Sequence, residues 1–502
     1  MSAYSLTDSP SIVLRQPHPL PDWNGVGRET LVNVLRRRHE QHPEKTALIE
    51  GKRSLTYAEL WEQIRYQQRM LRRAGVVPGQ VVAICSPNSL DMSTLFLAVM
   101  ALKAVPFVVN YRIEVLGDLS QLNVVWFAVP RTSIAIRKQL ASEPYMEQHP
   151  FDARFDLFRN TCPTRTTADD TALLVTSSGS SGNAKVVQLT NSGTLFNIRA
   201  NVQALNLSPD DVTAIALPMG YSYGLVGQFL SHLYVGATIL LLDPMFFLHQ
   251  MVWLFGRHRV TTLFLVPPMV RQLNYLHDRK LLPADFSTLR FVAVGGNRIE
   301  TTAIRKAMQV FGCPVIKTYG LAEAGPRVAT HPVYHSADPD VESVGLPNRG
   351  VRVQIVSDEG EELLPGKIGT VRIHSPSVMM GYFNAPACPS HRPHATIMTK
   401  DVGYLDSQGR LFVLGRKGDQ FQAGERTYWF REVENVLYAH FAFLKVALRH
   451  QESQIHIAAI AMKDYPVQET DVHERLREAF GPSCNRLFVF TLMRTNTLLN
   501  EK

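Results

Sequence analysis

At 502 residues the chain is too long for one small domain, so two or more are expected. Apolar side chains make up 45% and charged ones 19%, which permits a large core and excludes a disordered chain. Lys plus Arg number 52 and Asp plus Glu 44, but this +8 is thinly spread. The densest cluster, Arg36-Arg37-Arg38, falls in an expected amphipathic helix. With no basic stripe interleaved with aromatics, no nucleic-acid partner is expected. The five cysteines are far apart, odd in number and without metal-ligand spacing, which points to a reducing, cytoplasmic setting. Neither a signal pattern nor an apolar run of membrane-spanning length is present, so no membrane insertion is expected.

Residues 1–27, rich in Pro and polar side chains, read as an extended arm, followed by a helix near Thr30–His42. Leu55 to Gly75 reads as a second helix: Thr56 and Glu59 form a capping box, Leu60, Ile64 and Leu71 share a face, and Gly75 ends it. A strand at Val81–Cys85 and a helix from Asp91 to Lys103 begin a strand–helix alternation that predicts a doubly wound α/β sheet. Ile113 to Thr167 shows little pattern. Apolar Ala172–Val175 then leads into Thr176–Lys185, TSSGSSGNAK. Alone, this is either a Ser/Gly linker or an anion-holding turn, in which backbone N–H groups and hydroxyls form a nest and Lys185 adds charge. The glycine spacing excludes the GxxxxGK[ST] nucleotide loop.

A helix is expected at Asn191–Leu205 and a strand at Val212–Leu217, ending in Pro218–Gly224. Then come helix Leu225–Leu233, strand Thr238–Leu242, helix Met251–Arg257, strand Thr262–Val266 and helix Met269–His277. Strand Leu289–Val294 ends in Gly295-Gly296-Asn297, and after a helix near Thr301–Val310 strand Pro314–Thr318 delivers Tyr319-Gly320-Leu321-Ala322-Glu323. Counting Thr176–Lys185, four strand ends finish in short turns rich in Gly and polar residues, and in an open parallel sheet such ends converge on one crevice. His331 and His335 read as loop residues, because Pro332 breaks the helix that would align them. From about 341 to 414, alternating strands with hairpin turns predict a β-rich subdomain, and Gly415-Arg416-Lys417-Gly418-Asp419 reads as a hinge into a last α+β domain, 415–502.

Taken in order, these stretches resemble the adenylate-forming enzymes, the superfamily of acyl-CoA synthetases, peptide-synthetase adenylation domains and firefly luciferase, closest in style to acyl- or aryl-CoA ligases. Ser177–Val186 resembles TSGSTGxPKG; Tyr319–Glu323 resembles YGxTE; Lys400–Gly409 resembles GDxGxxDxxG; Gly415–Asp419 resembles GRxxD; and Glu432-Val433-Glu434 resembles ExE. The resemblance runs from about residue 28 to near the end. It implies an α/β protein with a large N-terminal AMP-binding domain (28–414) of doubly wound sheets and a β-rich subdomain, followed by a small mobile C-terminal domain. It implies an ATP-dependent, AMP-forming carboxylate ligase that makes an acyl-adenylate and pyrophosphate. The acyl group then goes to a pantetheine thiol of CoA or a carrier protein; alternatives are an amine acceptor, giving an amide, and a degenerate nucleotide-binding protein.

Roles carried over by the resemblance place Ser177, Ser178, Gly179, Ser180, Ser181, Gly182 and Lys185 on the ATP phosphates. Glu323 would hold Mg²⁺, a hard cation suited to carboxylate and water. Gly295, Gly296, Asn297 and Tyr319 would hold adenine, and Asp401 and Arg416 the ribose. Tyr221, Tyr223, Gly224, Val226, Gly320, Leu321 and Ala322 would line the pocket of an apolar or aromatic carboxylic acid. No Asp stands there to pair with an amino acid's α-ammonium. Lys417 and Gly418 would form the hinge.

The chain departs from the family pattern. Ala322 replaces Thr; Gly418 stands where Asp or Lys is usual; and Gln422, Glu425 and Phe430 replace a Lys, the second-step glycine and a Pro, with Gly424 able to serve by a one-residue shift. Along PxTxxGK, Leu499 falls on the adenylation lysine without a gap, and Lys502 after a shift of three, which makes Lys502 the catalytic candidate. The variant final domain suits specialised metabolism.

Overall fold

The computed structural model describes residues 29–109, 124–162, 167, 170–177, 185–242, 255–282, 285–383, 396–451, 453–482 and 487–493. The expected arm 1–27 and residues 251–254 of the expected helix Met251–Arg257 lie outside them.

Two large mixed sheets carry the N-terminal part. The first runs Leu346–Pro347, Arg327–Val333, Val315–Gly320, Phe291–Val294, Thr262–Leu265, Val212–Ile215, Thr238–Leu241, Thr46–Glu50, Arg53–Thr56. Its middle strands, from Val315–Gly320 to Thr46–Glu50, are parallel, and its edges are antiparallel. The second runs Gly381–Tyr382, Val186–Thr190, Thr171–Thr176, Val105–Val108, Val81–Ile84, Trp126–Pro130, Phe155–Asn160, Met146–Pro150. One core joins the facing sides: Leu48, Ile215, Phe264 and Phe291 from the first sheet meet Val82, Ile84, Trp126 and Val187 from the second. Helices Tyr57–Ala74, Leu90–Ala101 and Asn191–Leu205 fill the space between them. The outer side of the first sheet packs on helices Pro267–Asp278 and Thr301–Phe311, through residues such as Leu273 and Ile304.

The local signals act as their chemistry requires. Thr56 caps Tyr57–Ala74 by accepting from the Glu59 N–H, Glu59 returns the bond to the Thr56 N–H, and Gly75 closes the helix in the left-handed region. Helix Asn191–Leu205 has the expected bounds. Two readings are corrected. The weakly patterned stretch before Thr167 contains strands Trp126–Pro130, Met146–Pro150 and Phe155–Asn160 and helix Ile134–Ser142. Its edge strand Met146–Pro150 is mostly exposed and so lacks apolar alternation. His331 is a strand residue, paired with Lys317 and buried 3.6 Å from Asp338. Pro332 is tolerated there because the next strand, Leu346–Pro347, pairs only with Ala329 and Thr330.

Beyond the large sheets, Arg352–Val356, Gly369–His374, Thr396–Leu405 and Leu411–Arg416 form an antiparallel sheet with its own core around Val353, Ile355, Val371 and Ile373. A smaller α+β unit follows. It comprises hairpin Gln420–Ala423/Arg426–Trp429, helices Phe430–His440 and Glu469–Phe480, and the sheet Phe443–Gln451, Gln454–Ala461, Phe488–Leu492, closed around Val433, Leu437, Ile457 and Leu476. The fold is thus a large α/β N-terminal domain with mixed sheets followed by a smaller α+β part. Among the described residues no helix is long and apolar enough to cross a membrane.

One buried group makes the large domain sensitive to acid. His232 Nδ1 faces the Gln228 carbonyl at 2.8 Å and Nε2 faces the Thr262 hydroxyl at 3.0 Å, an arrangement that suits the neutral ring. Burial, only partly opposed by Asp211, holds its pKa down from 6.5 to about 4. Between these values the unfolded chain binds the proton and the folded chain does not. Stability from this group is therefore complete above pH 6.5 and falls as the pH drops towards 4, by up to about 3 kcal/mol. His232→Gln is expected to flatten the pH dependence of urea-unfolding free energy across that window; an unchanged slope would exclude His232 as its source.

Candidate active site

The turns after Val212–Ile215, Phe291–Val294 and Val315–Gly320 adjoin one another, and buried amides hold them. Asn88 donates to the Leu217 carbonyl and accepts from the Met219 N–H, which sets the turn Pro218–Gly224. Asn197, wholly buried in helix Asn191–Leu205, donates to the Ala324 and Arg327 carbonyls and accepts from the Arg327 N–H. It thereby clamps the segment that follows Glu323. The Thr176 hydroxyl donates to the Gly220 carbonyl at 3.0 Å, which joins the two sheets at the site. Gly295 admits no side chain, since a Cβ would lie 2.3 Å from Thr318 Oγ1 and 3.1 Å from Tyr223 Cζ.

Ser178, Gly179, Ser180, Ser181, Gly182 and Lys502 lie outside the described residues. The flanks of the Ser/Gly loop are in place: the Ser177 N–H donates to the Lys185 carbonyl at 2.8 Å, so the loop starts and ends at one point. The Lys185 ammonium lies 4.7 Å from the centre of the Tyr382 ring, and the Tyr382 hydroxyl donates to Glu323 Oε1 at 3.0 Å. One phenol therefore touches both the cation of the loop and the carboxylate. Burial, followed by the Glu323 charge, pushes the Tyr382 phenol up to about 12, so it remains a donor at neutral pH. The sequence reading missed Tyr382. It arrives on the two-residue strand Gly381–Tyr382, which pairs with Val187 and Gln188, and no local pattern marks it.

A second constellation lies at Asp401. The Tyr319 hydroxyl donates to Asp401 Oδ2 at 2.5 Å, and Arg416 Nε stands 3.7 Å from Oδ1. Asp401 and Arg416 are register partners on neighbouring strands, so the sheet sets their spacing. Burial and the adjacent carboxylate hold the Tyr319 phenol well above its ordinary pKa.

Of the residues expected around the acid, Tyr221 bridges to Thr176 and is half-buried. Tyr223 and Gly224 open a run of wide helical turns, Tyr223–Leu230, of the kind that often marks functional sites. Val226 and Ala322 pack into the central core, whereas Leu321 packs on the cluster around Phe196 and Val353. Gly320 pairs with Arg327. Gly296 and Asn297 are exposed beside Gly295, and Asn297 Oδ1 accepts from the Arg298 N–H.

Arg298 ties this turn to the C-terminal unit, reaching Glu434 Oε2 at 3.3 Å and Asn435 Oδ1 at 2.6 Å. Glu432 instead caps its own helix, accepting from the Trp429 N–H at 2.8 Å. Lys417 and Gly418 form the exposed turn between Leu411–Arg416 and Gln420–Ala423, where Asp419 Oδ2 accepts from the Arg416 N–H. Gly424 and Glu425 form the exposed turn of the following hairpin.

Among the described residues no group of three or more His, Cys, Asp or Glu side chains converges as a metal cage. A lone carboxylate such as Glu323, near the Lys185 ammonium through Tyr382, fits Mg²⁺, which keeps waters and is completed by substrate phosphates.

Comparison with known proteins agrees with this geometry. A family described as AMP-binding enzyme matches residues 35–383. Oxalate–CoA ligase of Arabidopsis thaliana is 27% identical over 432 residues, covering 82% of this chain and 84% of that protein. Feruloyl-CoA synthase of an Amycolatopsis species is 28% identical over 422 residues, covering 80% and 82%. The fold is shared with the anthranilate CoA ligase AuaEII in complex with anthranoyl-AMP, at TM-score 0.78 and 19% identity over 92% of this chain and 93% of that one. It is also shared with the amide bond synthetase McbA of Marinactinospora thermotolerans, at TM-score 0.74 and 22% identity over 92% and 95%. The chain belongs to the AMP-binding, adenylate-forming enzymes and is an AMP-forming, carboxylate-activating ligase that uses ATP.

Proposed function

We propose that the enzyme activates a small carboxylic acid and passes the acyl group to a pantetheine thiol, on CoA or a carrier protein. A carboxylate oxygen attacks the α-phosphorus of ATP, the α–β phosphoanhydride bond breaks, and pyrophosphate leaves. The thiolate then attacks the acyl carbon and AMP departs. Catalysis of this kind rests on positioning and charge stabilisation.

The observation that carries the reading is the Lys185–Tyr382–Glu323 contact. One phenol holds Lys185, which would meet the ATP phosphates, at a set spacing from Glu323, which would hold Mg²⁺. In this reading Asp401 and Arg416 take the ribose and Tyr319 with Gly295–Asn297 the adenine. Tyr221, Tyr223, Gly224 and Gly320 face the acid, Lys417 and Gly418 form the hinge of a rotating domain 415–502, and Lys502 is the adenylation lysine. When bound, Mg²⁺ neutralises the phosphate charge that develops as pyrophosphate leaves.

One feature favours an amine acceptor as a second reading. The hairpin at Gly424-Glu425 exposes a carboxylate where the family pattern has the glycine that admits pantetheine. Relatives of similar fold include the amide bond synthetase already described.

The test is direct. With ATP, Mg²⁺ and a panel of carboxylic acids, pyrophosphate release is expected with at least one acid. Addition of CoA, a pantetheinylated carrier or amines, with products identified by mass, is expected to give a thioester. Discharge by amines alone would replace the first reading with the second. No pyrophosphate with any acid would remove both.

A further inference from the structure

Among the described residues, Arg327 is a buried charge that the proposed chemistry does not use. It is 2% exposed, and among the described residues Nε, Nη1 and Nη2 meet no carboxylate and make no close hydrogen bond, the Tyr223 hydroxyl being a weak polar neighbour. Its backbone is pinned by Asn197 and paired with Gly320, so the side chain has a fixed origin. The guanidinium carbon lies 4.5 Å from the Tyr223 ring centre and 5.3 Å from that of Phe264. A Cβ at Gly227 would approach Nε to 3.1 Å, so the wide helical turn supplies a bare backbone wall. Burial lowers the Arg327 pKa from its ordinary value and the Tyr223 phenol pulls it back. Aromatic faces attract a cation but do not replace the hydrogen bonds of five N–H donors. A buried charge without a partner is strongly destabilising unless something supplies the counter-charge.

We propose that Arg327 is the recognition site for a second carboxylate on the acid being activated, so that the enzyme's substrates are dicarboxylates. This deepens, and rests on, the carboxylate-activating reading of the same site. A guanidinium presents parallel N–H donors that match a carboxylate bidentately. The position also suits the task. Arg327 is the strand partner of Gly320, between Tyr319 on the nucleotide side and the Tyr223 ring, which also lies beside Gly295. An acid held with one carboxylate towards the α-phosphate thus meets the guanidinium at its distal end. Tyr223, the member of the trio that stays partly exposed, is the side chain such a substrate must displace or slide past.

The experiment is pyrophosphate release by the full-length enzyme with ATP and Mg²⁺. Malonate, succinate, glutarate, adipate and the three benzenedicarboxylates are each compared with the monocarboxylate lacking the second acid group. At least one dicarboxylate is expected to exceed its monocarboxylate about 100-fold in kcat/KM. Arg327→Met is expected to erase that preference, mostly through KM, while Arg327→Lys, which keeps the charge and loses the fork, retains part of it. Should Arg327→Met fail to fold, the wild-type preference and the Arg327→Lys profile still decide. Turnover of monocarboxylates with equal or greater kcat/KM, or a dicarboxylate preference that survives Arg327→Met, would overturn the proposal and leave the ligase reading intact. No pyrophosphate from any acid would instead overturn the ligase reading itself.

Discussion

Asp401→Asn is expected to lower kcat/KM for ATP by about 100- to 1,000-fold, read as pyrophosphate release at saturating acid. In the proposed reading this carboxylate takes the two ribose hydroxyls; Tyr319 donates to Oδ2 and Arg416 stands 3.7 Å from Oδ1. Hydrogen bonds to a charged acceptor are worth about 1.5–3 kcal/mol each, and each 1.4 kcal/mol is tenfold. The amide keeps the shape and one acceptor oxygen but loses the charge and turns two acceptor positions into donors. The fold itself should survive, because strands Thr396–Leu405 and Leu411–Arg416 are paired through their backbones. A folded Asp401→Asn enzyme with unchanged kcat/KM would remove Asp401 from the nucleotide site.

Gly320→Ala is expected to abolish adenylation and to destabilise the large domain by about 3 kcal/mol or more. A Cβ at this position would fall 1.7 Å from the Pro326 carbonyl oxygen and 3.3 Å from Arg327 Cα. Backbone atoms cannot rotate aside as a side-chain end can, so the strands Val315–Gly320 and Arg327–Val333 must part at this pair. That separation shifts Tyr319 on one side and Glu323 on the other, the two residues that reach Asp401 and Tyr382. Urea unfolding reads the stability loss and pyrophosphate release the activity. Normal values for both would show that the close approach is not maintained in solution. Neither outcome depends on Arg327 as a specificity residue, because the clash is with backbone atoms.

What local chemistry encodes was legible. The capping box at Thr56 and Glu59, the stop at Gly75 and the bounds of Asn191–Leu205 follow from groups a few residues apart. Motif order was legible for a related reason: Tyr319, Glu323, Asp401 and Arg416 stand in short stretches whose composition is itself restrictive. The helix Asn191–Leu205 shows where such reading stops. Its polar Asn197 has no evident purpose until the Ala324 and Arg327 carbonyls are brought to it.

The sequence by itself determined the alternation of strands and helices, the β-rich segment before a small final domain, and the adenylate-forming class. Periodicity, turn chemistry and ordered motifs are properties of neighbours in the chain. Only the tertiary structure decided that Tyr382 joins Lys185 to Glu323, that His331 lies in a strand, and that Arg327 is buried against Tyr223 and Phe264 with no counter-charge among the described residues. These depend on strand pairing and packing between segments far apart in sequence. Burial, which sets the cost of a charge and the pKa of a phenol, does not exist until those segments meet.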